Sequence, residues 1–164
     1  MIGVEEIYKS FGDNHVLKGI NTTFEQGKTN LIIGQSGSGK TVFIKSLLGL
    51  FEPDQGGICY NGTYYWDLTT TEQRDLRQQM GMVFQGSALF DSMTVEQNVR
   101  FPLDMFTKQS ISEKNDRVDF VLKRVNLVDA NKRFPSEISG GMQKRVAIAR
   151  ALSLIHISEP TRPY

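Results

Sequence analysis

Apolar residues fall in short runs through the first half of the chain and on helical spacings through the second, the change coming after Gln85. Ile2–Tyr8 reads as a short strand, and Val16–Ile20 and Thr22–Phe24 as two more, separated by polar turns. Glu25-Gln26-Gly27-Lys28 is a turn, and Thr29–Ile33 is a compact apolar strand. Gly34–Gly39 is glycine-rich. Lys40–Leu50 follows as a helix whose Val42, Phe43, Leu47 and Leu50 are apolar. The stretch FEPDQGG (51–57) breaks it with proline, acid and glycines.

Ile58-Cys59-Tyr60, Asn61-Gly62 and Thr63-Tyr64-Tyr65 have the pattern of a hairpin around an Asn-Gly turn. Thr71–Gln79 is a polar helix candidate, and Gly81–Phe84 a short apolar strand. Beyond Gln85, Thr94-Val95-Glu96-Gln97 matches a capping box. Ser112 is a candidate cap for a second helix, with Val118, Val121, Leu122 and Val125 on its face. A third helix spans Ser139–Leu152, opening on two glycines.

Composition narrows the picture only a little. The chain has 164 residues, 39% hydrophobic and 23% charged, which is ordinary for one globular domain. A net charge of +1 gives no bulk basic surface that would point to nucleic acid. A single cysteine, Cys59, excludes an internal disulfide and suits a reducing compartment. The start, MIGVEEIYKSF, carries acids where a signal peptide has bases. No apolar run approaches the ~18–20 residues needed to cross a bilayer. The expectation is a soluble cytoplasmic protein able to dock on a membrane protein.

Gly34-Gln35-Ser36-Gly37-Ser38-Gly39-Lys40-Thr41 fits the phosphate-loop pattern GxxxxGK[ST], after an apolar strand and opening a helix. Glycines let the backbone wrap so that its N–H groups face phosphate oxygens. The helix N-terminus adds partial positive charge. Lys40 can reach terminal phosphates, and the Thr41 hydroxyl can ligate Mg²⁺. The competing account is a merely flexible loop. A second element, Ser139-Gly140-Gly141-Met142-Gln143 followed by KRVAIARA, places two glycines after a serine at a helix start. A glycine-capped buried helix is its plainer explanation.

Together these two elements resemble the phosphate loop and signature motif of ABC-transporter ATPases. Gln85, in MGMVFQGSALF, is similar to that family's Q-loop glutamine. Phe11, in KSFGDNHVL, is similar to the aromatic that stacks on adenine, and Asp54-Gln55-Gly56-Gly57 to its usual turn. The plainer accounts are a polar strand terminus for Gln85 and a core or surface aromatic for Phe11. The resemblance runs from about Ile2 to Ala151. It implies an α/β fold, a P-loop NTPase of the ABC ATPase type: an N-terminal antiparallel β part (about 1–30), a RecA-like phosphate-loop core (31–85) and a helical subdomain with the signature helix (86–151).

Residues 85–103, QGSALFDSMTVEQNVRFPL, resemble more narrowly the ATPases of the Mla/Mce type, which drive phospholipid movement between bacterial membranes. Pro135-Ser136-Glu137-Ile138 fits the same group. The resemblance implies a homodimer sandwiching two ATP molecules. Phe11 and Gly34–Thr41 of one subunit hold each ATP, and Ser139, Gly140, Gly141, Met142 and Gln143 of the other cap it. Gln85 and Thr41 would attend Mg²⁺. A transmembrane permease and an Mce-type lipid-binding subunit are the implied partners, with no nucleic acid. The implied place is the cytoplasmic face of the inner membrane.

The family's catalytic machinery also needs a Walker B aspartate, an adjacent glutamate and a later switch histidine. Ser158-Glu159-Pro160-Thr161 is the nearest stretch. It has serine in place of the aspartate, a poor substitute beside Mg²⁺. Glu159 stands closer to Ser139 than the family's glutamate does, and His156 interrupts what should be a continuous apolar strand. Neither His15 nor His156 lies in a switch-like context. LSLIHISEPTR (152–162) resembles instead the translation of a transposase adapter used in sequencing libraries. The expectation is an ABC ATPase domain cut after about Ala151, with 152–164 a non-native tail. Its parent would be an ATPase. The chain itself would bind nucleotide without turnover, and its exposed apolar strand edges would make it poorly soluble.

Two other readings stay open: an ABC importer for another solute, and a nucleotide-binding adaptor that never hydrolyses. The stretch between Gly34 and Ser139 leaves no room for the long coiled coil of DNA-repair members.

Overall fold

The computed structural model describes residues 1–155. Among these residues the chain divides into two compact units, the first Met1–Arg77 and the second beginning at Gln78.

The first unit is built on a four-stranded antiparallel sheet in the order β2-β1-β3-β4. β1 (Ile2–Phe11) and β2 (Asn14–Phe24) form a hairpin in which Ile2 faces Phe24 and Phe11 faces Asn14. β2 is one strand, not the two expected either side of Asn21. Asn21 is no break because its amide is used across the ladder: it donates to Glu6 Oε1 at 2.6 Å and accepts from Glu6 N at 3.0 Å. Glu6 sits at a register shift with φ 49°. That bulge lets both Val4 and Ile7 face the core although they are an odd number of residues apart.

β3 (Gln55–Tyr60) and β4 (Thr63–Tyr64) form the expected Asn-Gly hairpin, with φ 49° at Asn61 and 96° at Gly62. Positive φ at both central residues suits the right-handed twist of the strands. The core of the unit is Val4, Ile7, Leu17, Phe43, Ile58, Tyr60 and Tyr65.

α1 covers Lys40–Leu47 and stops short of Leu50. Gly49, at φ 67°, ends it: Gly49 N donates to Ser46 O and Leu50 N to Lys45 O, both at 2.9 Å. This is a Schellman closure, which satisfies carbonyls the last turn would otherwise leave open. α2 (Thr70–Gln78) carries no buried residue, as its polar sequence predicts.

Two expected strands do not form. Thr29–Ile33 and Gly81–Phe84 have no strand assignment, and among the described residues nothing pairs with them. A strand's N–H and C=O groups are satisfied by a neighbouring strand, so apolar composition alone cannot make one. Leu31 and Ile33 are accordingly 83% and 80% exposed.

The second unit is helical: α3 (Val95–Phe106), α4 (Ile111–Arg124) and α5 (Gly140–Leu154). Val95, Val99, Leu103, Val118, Val121, Leu122, Leu127, Ile138, Val146 and Ala149 form its core. Thr94 caps α3 through a full capping box with Gln97. The cap of α4 is Ser110, not Ser112. Ser110 has Glu113 three residues on and forms the reciprocal box, with Ser110 N donating to Glu113 Oε2 at 2.8 Å. Ser112 has no such partner in sequence. α5 continues past Leu152 to Leu154, and the Arg117 guanidinium closes its end, donating to the carbonyls of Leu152 at 2.9 Å and Ser153 at 3.0 Å. A cation there complements the negative end of the helix dipole. Among the described residues no helix is long and apolar enough to cross a membrane.

Candidate functional site

In the first unit, the loop Gly34–Gly39 runs into α1. Gly39 is the N-cap at φ 90°, a left-handed conformation, and a Cβ there would lie 3.0 Å from Val16 and 3.1 Å from Leu17. Only glycine lets the loop lie this close to β2 in that conformation. No side chain caps α1, and its first turn has no acidic residue. The helix therefore keeps its free N–H groups and their partial positive charge.

Lys40 folds back across the loop. Its ammonium donates to Gly34 O at 2.8 Å and to Gln35 O at 2.6 Å, while Ser38 N donates to Gln35 O at 3.2 Å. Gln35, Ser36, Gly37, Ser38 and Thr41 are exposed. The arrangement brings together a cation held by loop carbonyls, a helix N-terminus with no side-chain cap and a hydroxyl in the first helical turn. Such a set fits a chain of phosphates with Mg²⁺ against Thr41.

Phe11 is the last residue of β1 and is 45% exposed. Its ring meets Phe51 edge to face, with centroids 5.4 Å apart and planes at 74°. Lys9 Nζ lies 5.7 Å from the Phe11 ring, and Lys45 Nζ of α1 lies 5.4 Å from the Phe51 ring. Asp54 pins the same end of β1. Its carboxylate accepts from Lys9 Nζ at 2.7 Å and from Ser10 N at 2.6 Å, and Asp54 N donates to Tyr8 O at 2.8 Å. Lys9 and the Ser10 amide hold the Asp54 carboxyl below its usual range. Phe51 had no signal of its own in the sequence beyond its place in a helix-breaking stretch.

In the second unit, Gln85 is exposed on a turn. Gly86, Ser87 and Ala88 follow at φ 79°, 67° and 46°. Consecutive left-handed residues of which two are not glycine are strained and persist only if held. Arg150 of α5 holds them, donating to Ala88 O at 2.8 Å and Ser87 O at 3.0 Å beside the Phe90 ring. Burial pulls the Arg150 pKa below the usual guanidinium value. Asn98, fully buried, fixes the next segment. Its amide donates to the carbonyls of Phe90, Met93 and Thr94, each at 3.0 Å, and accepts from Phe90 N at 2.8 Å. Sequence patterning identified neither Arg150 nor Asn98.

Ser139 caps α5, accepting from Met142 N at 3.3 Å. Ser139, Gly140 and Gly141 are exposed, with open space where a Gly140 Cβ would sit. Met142 packs against the helical core, and Gln143 donates to Pro135 O at 2.8 Å. His156 and Ser158–Thr161 lie outside the described residues. His15 Nδ1 is 2.8 Å from Ser10 Oγ.

Fold and loop together define an α/β nucleotide-binding cassette of the ABC ATPase type. The family described as ABC transporter matches residues 17–155, and the chain belongs to it. A probable ribonucleotide transport ATP-binding protein of Mycobacterium tuberculosis is 42% identical over 153 residues, covering 93% of this chain and 43% of that protein. The chloroplastic protein trigalactosyldiacylglycerol 3 of Arabidopsis thaliana is 40% identical over 164 residues, covering 99% of this chain and 47% of that one. The chain thus spans less than half the length of these curated relatives. A dimeric cassette in a post-hydrolysis state, bound to ADP and Pi, superposes with a TM-score of 0.82 at 31% identity, over 93% of this chain and 69% of that one.

Proposed function

We propose that this chain is the nucleotide-binding part of an ABC-transporter ATPase that serves lipid transport, and that it binds Mg²⁺·ATP. The observation that carries the reading is the uncapped N-terminus of α1 with Lys40 folded over Gly34–Gly39. Phosphate oxygens accept more strongly from an ammonium than backbone carbonyls do, so Lys40 is poised to exchange Gly34 and Gln35 for the β- and γ-phosphates. The loop N–H groups take the remaining negative charge, and Thr41 holds Mg²⁺. Phe11 stacks on the base. Ser139, Gly140 and Gly141 present a second set of N–H groups to the nucleotide of a second copy. Two copies around two nucleotides would be joined by that shared charge, and hydrolysis in the parent protein would loosen them.

The lipid assignment is supported by the likeness of residues 85–103 to Mla/Mce ATPases and by a relative that carries a galactolipid's name. A transmembrane permease and an Mce-type subunit are the partners it entails, with this chain on the cytoplasmic face of the inner membrane. Import of another solute is the second reading, favoured by the ribonucleotide transport named for the mycobacterial relative. The neighbouring genes separate them: an Mce-type gene supports lipid, a periplasmic solute-binding protein the alternative.

Residues 152–164 resemble an adapter translation, while the Arabidopsis relative aligns over 99% of the chain. A long, adapter-free read of the source DNA across codon 151 checks that reading; the same tail followed by a stop codon would sink it. For binding itself, calorimetric titration of the chain with Mg²⁺·ATP is the test. A folded chain that takes up no nucleotide refutes the proposal.

A further inference from the structure

We propose that Phe51 is a positioning residue for the base end of the nucleotide site, locking the Phe11 ring into the orientation in which it accepts a base. The inference rests on the reading of Phe11 as a base platform. Phe11 is the last residue of its strand, is 45% exposed and precedes a two-residue turn. Left alone, such a ring samples several rotamers, and a base that stacks on it must first order it. Phe51 removes that freedom: the rings meet at 5.4 Å and 74°, the favoured edge-to-face geometry. Beside Phe51 and the Lys9 ammonium, Phe11 keeps 45% of its surface exposed, and that exposed part is where a base would stack.

The contact also gives base and phosphates one frame. Lys45 Nζ stands 5.4 Å over Phe51, and Lys45 belongs to α1, the helix that opens at Lys40. On the other side, Asp54 ties Lys9 and Ser10 to the segment that carries Phe51. The path from Phe11 through Phe51 and Lys45 therefore ends on the helix whose N-terminus faces the phosphates. A base site built this way is pre-ordered relative to the phosphate loop, and it pays less ordering entropy on binding.

The test is calorimetry on the 164-residue chain with two ligands, Mg²⁺·ATP and Mg²⁺·tripolyphosphate, the second having phosphates but no base. Phe51→Ala and Phe51→Leu are each expected to weaken ATP by about 3- to 10-fold, the equivalent of one aromatic pair. Tripolyphosphate should stay within about twofold. Phe51→Tyr, which keeps the ring edge, should bind ATP like the parent. Equal weakening of both ligands, or ATP binding unchanged in Phe51→Leu, overturns the role of Phe51 while leaving the nucleotide reading standing. A parent chain that binds tripolyphosphate as tightly as ATP refutes the base platform and this proposal with it. A parent that binds neither ligand refutes the nucleotide site as well.

Discussion

Glycine stands at the start of both α1, as its cap Gly39, and α5, as its first residue Gly140, yet the two first turns differ in capping. α1 is 8 residues long, starts from a left-handed glycine and has no side-chain cap. α5 is 15 residues long, starts from an extended serine and has its Met142 N–H satisfied by that serine. The short helix leaves its N-terminal donors open beside a lysine. The long one uses its own side chain and draws stability from a packed face. An uncapped terminus costs stability locally, so a helix that keeps one has donors available to an external anion. Glycine at a helix start is thus not one signal but two, separated by what precedes it.

The largest effect should come from the packed side of that comparison. Leu122→Ala removes a side chain that is 1% exposed in the helical core and should lower unfolding free energy by about 2–5 kcal/mol in urea titration. A loss under about 1 kcal/mol would mean this core is not close-packed. Next comes the open side. Lys40→Ala should weaken Mg²⁺·ATP by roughly 10- to 100-fold through loss of charge-assisted contacts worth about 1.5–3 kcal/mol. The urea midpoint should not move, because Lys40 bonds only loop carbonyls that water can serve. A large drop in midpoint would make the lysine structural and dissolve the contrast.

Smaller again, Ser139→Ala should destabilise by about 1 kcal/mol, and Ser139→Gly by only a few tenths, as a true cap does. If neither moves the midpoint, α5 is held by packing alone. The smallest effect concerns acid. The Asp54 carboxyl is held below its ordinary value of 3.8 by Lys9 and the Ser10 amide. A depressed folded-state pKa means its contribution is complete above that ordinary value and is lost as pH falls through the folded one. Acid unfolding of Asp54→Asn should therefore show a shallower limb below about pH 4 than the parent. Superimposable acid limbs would show that the Asp54 clasp contributes nothing.

Motifs read well where their cause is local. The Asn-Gly hairpin and the Thr94 box each depend on a few adjacent residues, and each appears where expected. Ser112 failed because serine frequency was read without the partner at the third residue on, which only Ser110 has. Asn21 failed because asparagine marks turns in general, while this one bonds across the strand pair to Glu6. For the candidate site, Lys40 and its loop had a local sequence pattern, whereas the contacts of Phe51 and Arg150 had none. Their partners lie 40 and 62–63 positions away in sequence, at Phe11, Ala88 and Ser87.

The sequence by itself determined where glycine, serine and lysine make helix starts, and so which chemistry each start can offer. That information is carried by backbone freedom and short-range hydrogen bonds. Tertiary structure alone decided whether Thr29–Ile33 is a strand, which aromatic braces Phe11, and what holds the left-handed turn after Gln85. Those outcomes depend on a neighbour supplied from far along the chain, and a hydrogen-bonding edge or ring face has no sequence signature until that neighbour arrives.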